Sequence, residues 1–149
     1  MTASFVRRAT VDDIDVLVDL RASFVSEFSD DETQREPLVE YLQRALTSES
    51  FLAWLVVDDG RVVSTSGMAV YERMVRSHGA GVGLEGYVLN VFTYPEFRRR
   101  GYGRLGMEAL LDYARERRIR LTLLTTDEGR PMYEKLGFSH DDRTYRWWP

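Results

Sequence analysis

Two strand-like runs joined by a single helix leave few folds open to this chain. Tyr87 to Thr93 is rich in aromatic and β-branched residues and reads as a strand. A break follows at Tyr94-Pro95-Glu96. Gly101 to Arg117 then places Leu105, Ala109, Leu110 and Tyr113 on one face of a helix, and Ile119 to Thr125 reads as another strand. Strands connected in this way lie parallel, with the helix crossing over one face of the sheet.

The rest of the chain adds to that core. Phe5 to Arg8 predicts a short first strand, and Thr10 caps a helix whose apolar positions are Ile14, Leu17, Val18 and Ala22. Asp12 and Asp13 fall in its first turn, where the helix dipole favours carboxylates. A second helix is expected from Glu36 to Leu46, with Pro37 tolerated in the first turn. Phe51 to Val57 and Arg61 to Tyr71 form a hairpin around Asp58-Asp59-Gly60. Glu72 to Gly86 lacks periodicity and reads as a long loop. Arg130 to Leu136 is a short helix stopped by Gly137, and Phe138 to Trp148 is expected to close the fold as a strand or hairpin. The fold class is α/β (α+β): one domain over residues 1–149, with a mixed, mostly antiparallel sheet, a parallel central pair and about four flanking helices.

Composition removes several functions. With no cysteine there is no disulfide, thiolate metal site or covalent cysteine intermediate, and two histidines, His78 and His140, do not suggest zinc. No metal is expected. A net charge of −4 disfavours a generic nucleic-acid binder, and no apolar run is long enough to cross a membrane. The N-terminus turns acidic too early for a signal peptide, so a cytoplasmic protein is expected.

The chemistry concentrates in Arg98-Arg99-Arg100-Gly101-Tyr102-Gly103-Arg104, which follows a strand and opens a helix. Glycines let backbone approach a ligand, and the first helical turn offers unpaired N–H groups with partial positive charge. Together they suit a phosphate or pyrophosphate. The stretch is neither a Walker A loop nor a dinucleotide fingerprint. By itself it reads equally well as a helix start with a solvated basic face.

The context is more specific. Asn90-Val-Phe-Thr-Tyr-Pro-Glu-Phe-Arg-Arg-Arg-Gly-Tyr-Gly-Arg resembles the central motif of the GNAT superfamily of N-acetyltransferases. Gly129-Arg-Pro-Met-Tyr133-Glu-Lys-Leu-Gly-Phe138 is similar to that family's second signature, at the separation of one helix plus one strand. The likeness is close over the second half of the chain and extends to the first half only in element order.

The resemblance implies acetyl-CoA as acyl donor, with no metal. Its pyrophosphate would lie on the turn Arg98 to Arg104. Val91, Phe92 and Thr93 would hold the pantetheine arm, and a backbone N–H near Phe92 would stabilise the oxyanion. Tyr133 matches the tyrosine proposed to protonate the leaving thiolate. At Thr126 many members carry an asparagine that contacts the cofactor, so this contact departs from the pattern. The amine must lose a proton before attack, and Glu85 is the first candidate base, with Asp127, Glu128 and His78 behind it. The acceptor is a small-molecule or peptide amine, with a small molecule slightly favoured and a protein lysine also open. A non-catalytic acyl-CoA sensor is the alternative. A nucleic-acid module built on Arg98, Arg99, Arg100, Arg104 and the arginines of 115–120 ranks below both. The aromatic C-terminus, Tyr145, Trp147 and Trp148, fits either core or the exposed edge of a homodimer.

Overall fold

A computed structural model describes residues 3–74 and 83–149. Strand β1 (Phe5–Arg8) leads through a 3-10 turn (Val11–Asp13) into α1 (Ile14–Ser26) and then α2 (Arg35–Ser48). Strands β2 (Phe51–Asp58), β3 (Arg61–Glu72) and β4 (Leu84–Thr93) follow. A 3-10 turn (Pro95–Phe97) precedes α3 (Tyr102–Arg117), β5 (Arg120–Leu123) and α4 (Arg130–Lys135). Among the described residues the five strands lie in sequence order, with β4 and β5 parallel and every other neighbouring pair antiparallel.

The sheet has a core on each face. One unites Leu17, Leu20, Leu42, Phe51, Leu55 and Phe92 beneath α1 and α2. The other unites Trp54, Met68, Val88, Met107 and Leu110 beneath α3. The β2–β3 turn consists of Asp59 (φ 48°) and Gly60 (φ 73°), both left-handed, which matches the right-handed strand twist. Gly106 lets α3 approach the sheet closely, since a Cβ there would lie 3.3 Å from Ser66 Oγ and 3.4 Å from Val56 Cγ2.

The expected cap at Thr10 forms a capping box. Its hydroxyl accepts from the Asp12 N–H at 3.2 Å, and its own N–H donates to Asp13 Oδ2 at 2.8 Å. Asp13 is buried and also accepts two 2.8 Å bonds from the Arg7 guanidinium. These bonds, the Arg7 pair first, hold its carboxyl below the usual range. A depressed folded pKa gives stability that is in full above the ordinary carboxylate value of about 4 and is lost as pH falls through the folded value. Asp13→Asn is expected to cost about 1–3 kcal/mol near neutrality and to flatten the acid limb of a urea-denaturation pH series.

Three expectations are corrected. The loop between β3 and β4 is shorter than Glu72–Gly86, because the ladder runs to the pair Glu72↔Leu84 and Glu85 and Gly86 are strand residues. Its middle, including His78, lies outside the described residues. Strand β5 ends at Leu123 rather than Thr125, because its ladder with β4 stops at the pair Val88↔Leu123. Finally, residues 138–149 form no strand, and Tyr145, Trp147 and Trp148 are exposed. Asp141 there accepts from both the backbone N–H and the Nε of Arg143, a local turn that competes with ladder pairing.

Candidate active site

The site begins with a bulge. Thr65 opposes Phe92 while Gly67 opposes Leu89, so β4 carries one extra residue around Asn90–Val91. Asn90 has φ 57°, the left-handed region that asparagine tolerates better than most side chains. The bulge resets the alternation of the strand. Val88 and Val91 join the α3 core, whereas Leu89 and Phe92 join the α1–α2 core. The parallel pairing ends just before the bulge, with Val88 and Leu123 as its last partners. Beyond them, the β5-side edge of β4 carries no strand among the described residues. A slot open to backbone hydrogen bonding is left along Val91, Phe92 and Thr93.

The turn below the slot is built from unusual backbone. Arg99 (φ 64°) and Gly101 (φ 83°) are both left-handed, and α3 starts from Gly101 without a side-chain cap. The first intrahelical bond runs from Leu105 N–H to Gly101 O, so the N–H groups of Tyr102, Gly103 and Arg104 have no partner within the helix. Such a set of amides is an anion cradle. It adjoins both β4 and α4, because a Cβ on Gly103 would sit 3.6 Å from Thr93 Oγ1 and 3.7 Å from Met132 Sδ.

The arginines divide in two. Arg98 donates from Nε to Thr93 O at 2.9 Å, pairs with Glu27 and lies over the Phe92 ring. Its side chain therefore braces the turn against β4 and α1, and only its backbone is left for a phosphate. Arg104 is paired with Glu108 at 2.9 Å. Arg99 and Arg100 carry no carboxylate partner among the described residues, so they are the cations free to meet a ligand.

Tyr133 stands on α4 next to Met132, half-buried, with its ring edge-to-face against Phe138 at 5.8 Å. Burial pushes its phenol above the ordinary value, so it stays protonated across the neutral range. Gly129 permits this packing, since a Cβ there would meet Tyr133 Cε2 at 3.3 Å and Thr125 Oγ1 at 2.5 Å. The Thr126 hydroxyl accepts from the Gly129 N–H at 3.3 Å, tying down the turn that starts α4. Asp127 is fully exposed and 3.6 Å from Arg130.

Glu85 is not beside this cradle. Its carboxylate is buried, bound by Arg73 at 2.7 Å and by the Tyr71 hydroxyl at 3.3 Å. It lies five residues before the bulge, roughly 16 Å at strand rise. A cavity of about 160 Å³ lined by Arg73, Leu84, Glu85, Arg118 and Arg120 occupies that end of the sheet. Sequence reasoning placed Glu85 in a loop, and the resemblance implied a bulge in this strand without locating it. The signal for the bulge was Asn90, a poor strand former inside an otherwise β-prone run.

Comparison with known proteins adds to this geometry. A family model described as the acetyltransferase (GNAT) family matches residues 16–138. A predicted acetyltransferase from Clostridium acetobutylicum, solved with acetyl-CoA, is 24% identical, with a TM-score of 0.85 over 97% of this chain and 96% of its own. A GCN5-related N-acetyltransferase from Ralstonia eutropha is 23% identical, with a TM-score of 0.83 over 98% and 99%. Glucosamine-6-phosphate N-acetyltransferase from Arabidopsis thaliana is 15% identical, with a TM-score of 0.76 over 98% of each chain. Among curated proteins none matches.

Proposed function

The chain belongs to the GNAT acetyltransferase family, and from that premise we propose that it transfers an acetyl group from acetyl-CoA to a primary amine by direct attack in a ternary complex. The observation that carries this reading is the meeting of three elements: the splayed end of β4, the uncapped start of α3, and Tyr133 on the adjoining α4. The pyrophosphate takes the amides of Arg99 to Arg104, with Arg99 and Arg100 as counter-charges. The pantetheine arm runs along Val91, Phe92 and Thr93 and brings the thioester to the bulge. Thr126, whose hydroxyl accepts from the Gly129 N–H, would offer that hydroxyl to the cofactor.

Chemistry then needs three proton or charge events. The free amine attacks the thioester carbonyl, and the oxyanion that forms takes a backbone N–H near Phe92. The C–S bond breaks, and Tyr133, kept neutral by burial, gives its proton to the departing sulfur. The amine's own proton leaves to Glu85, the carboxylate that β4 itself supplies. At its distance from the bulge this transfer runs through water. Arg73, at 2.7 Å, holds the Glu85 carboxylate in place. Glu85→Gln is expected to remove the acid limb of the kcat/KM pH profile. An unchanged profile takes Glu85 out of the reaction.

A cytoplasmic location fits a coenzyme A-dependent enzyme, and no helix among the described residues is long and apolar enough to cross a membrane. The acceptor is a small molecule or peptide amine. The exposed C-terminal aromatics are available to a second copy in a homodimer. The experiment that tests the reaction is a screen of primary amines for acetyl-CoA-dependent release of free thiol. An acyl-CoA sensor would bind the cofactor and turn over none of them.

A further inference from the structure

We infer that Arg21, on α1, recognises a carboxylate carried by the acceptor amine, an inference that rests on the acetyl-transfer reading above. Arg21 faces the bulge from the sheet side opposite α3. Its Nη1 makes a long 3.5 Å contact with Asn90 Oδ1, and its guanidinium lies 5.4 Å from the Phe24 ring centroid. The residue is half-buried. Other arginines on this face have found carboxylates: Arg7 with Asp13, Arg35 with Asp15 and Asp19, Arg98 with Glu27. Arg21 has none among the described residues, and the segment 75–82 contains no Asp or Glu.

A guanidinium with no counter-ion among the described residues can take a ligand anion in a charge-assisted contact. Its position fixes where that anion sits. Asn90 is the bulge residue, and the oxyanion donor near Phe92 lies two residues further along the strand. An acceptor entering from the α1 side would therefore reach the thioester with its amine while Arg21 held a group only a few atoms away. The planar fork of one arginine matches the two oxygens of one carboxylate. Phe24 and the exposed Phe28, whose centroids are 5.2 Å apart, give the apolar part of such an acceptor a wall. The acceptor class is thus an amino acid or a short peptide whose carboxylate lies close to its amine.

The test pairs each acid with its carboxamide: glycine, β-alanine and a glycyl dipeptide, with phosphoethanolamine as the phosphate-bearing amine. The acid is expected to exceed its carboxamide in kcat/KM by about 30-fold, the size of one charge-assisted contact. Arg21→Gln should abolish that preference while leaving carboxamide turnover and acetyl-CoA affinity unchanged, and Arg21→Lys should restore part of it. Equal use of acid and carboxamide, persistence of the preference in Arg21→Gln, or preference for phosphoethanolamine would overturn the assignment. A second readout needs no turnover. In CoA-saturated protein the Arg21 Nε–H resonance should shift with the acids and not with the carboxamides. Failure of acetyl-CoA to bind counts against the proposed function, whereas absence of an acid-specific shift counts against Arg21.

Discussion

Tyr133→Phe is expected to lower kcat by about 10²–10³-fold while changing acetyl-CoA affinity by less than about twofold. The substitution removes one hydroxyl and keeps the ring that packs edge-to-face on Phe138, so α4 has no reason to move. The affected step is departure of the thiolate, whose poor protonation would then fall to water. Burial raises the phenol pKa, and a raised pKa keeps the acid form populated as pH rises through the ordinary tyrosine range. The kcat profile should therefore hold its alkaline side until above about pH 10, and Tyr133→Phe should lose that limb. Stopped-flow detection of free CoA over a pH series checks both parts. Retention of full turnover by Tyr133→Phe would falsify the acid role.

Gly103→Glu is expected to weaken acetyl-CoA binding by at least about 100-fold without loss of stability. A Cβ at Gly103 meets only ordinary contacts at 3.6 and 3.7 Å. A carboxylate in the first turn of α3 favours the helix through its dipole. The same carboxylate sits where the cradle would hold a pyrophosphate, so like charge and lost space act together. Thermal unfolding and calorimetric titration, run side by side, separate the two effects. A variant as stable as the parent and still binding would move the phosphate site elsewhere.

Much of this architecture was legible in the sequence because its signals are local. The helix after Thr10 was signalled by its cap and apolar spacing, those near Glu36 and Gly101 by apolar spacing, and the observed starts of the latter two differ by one residue. The parallel pair followed from the crossover rule. The turn at the strand–helix junction was legible for a similar reason, since the glycines there marked the left-handed Gly101 from which α3 starts.

What stayed hidden depends on partners distant in sequence. Arg98 reads as one of three equal arginines, yet Glu27, on the far side of the sheet, decides that it braces the turn. Glu85 reads as a loop acid because its strand pairing with Tyr71 is non-local. Arg21 carries no signal of its own in the sequence, and only its contact with Asn90 at the bulge singles it out. The aromatic C-terminus had the composition of a strand, but β propensity reflects packing against neighbours, and these side chains stand exposed.

The central claim is that the splayed end of β4 and the start of α3 form one acetyl-CoA site. Titrating acetyl-CoA into isotope-labelled protein, with backbone amide resonances as the readout, tests it most directly. Saturable shifts in both Val91–Thr93 and Gly101–Arg104, with a single dissociation constant in the micromolar range, are the result expected. Shifts confined to one of the two segments, or none in either, would contradict it.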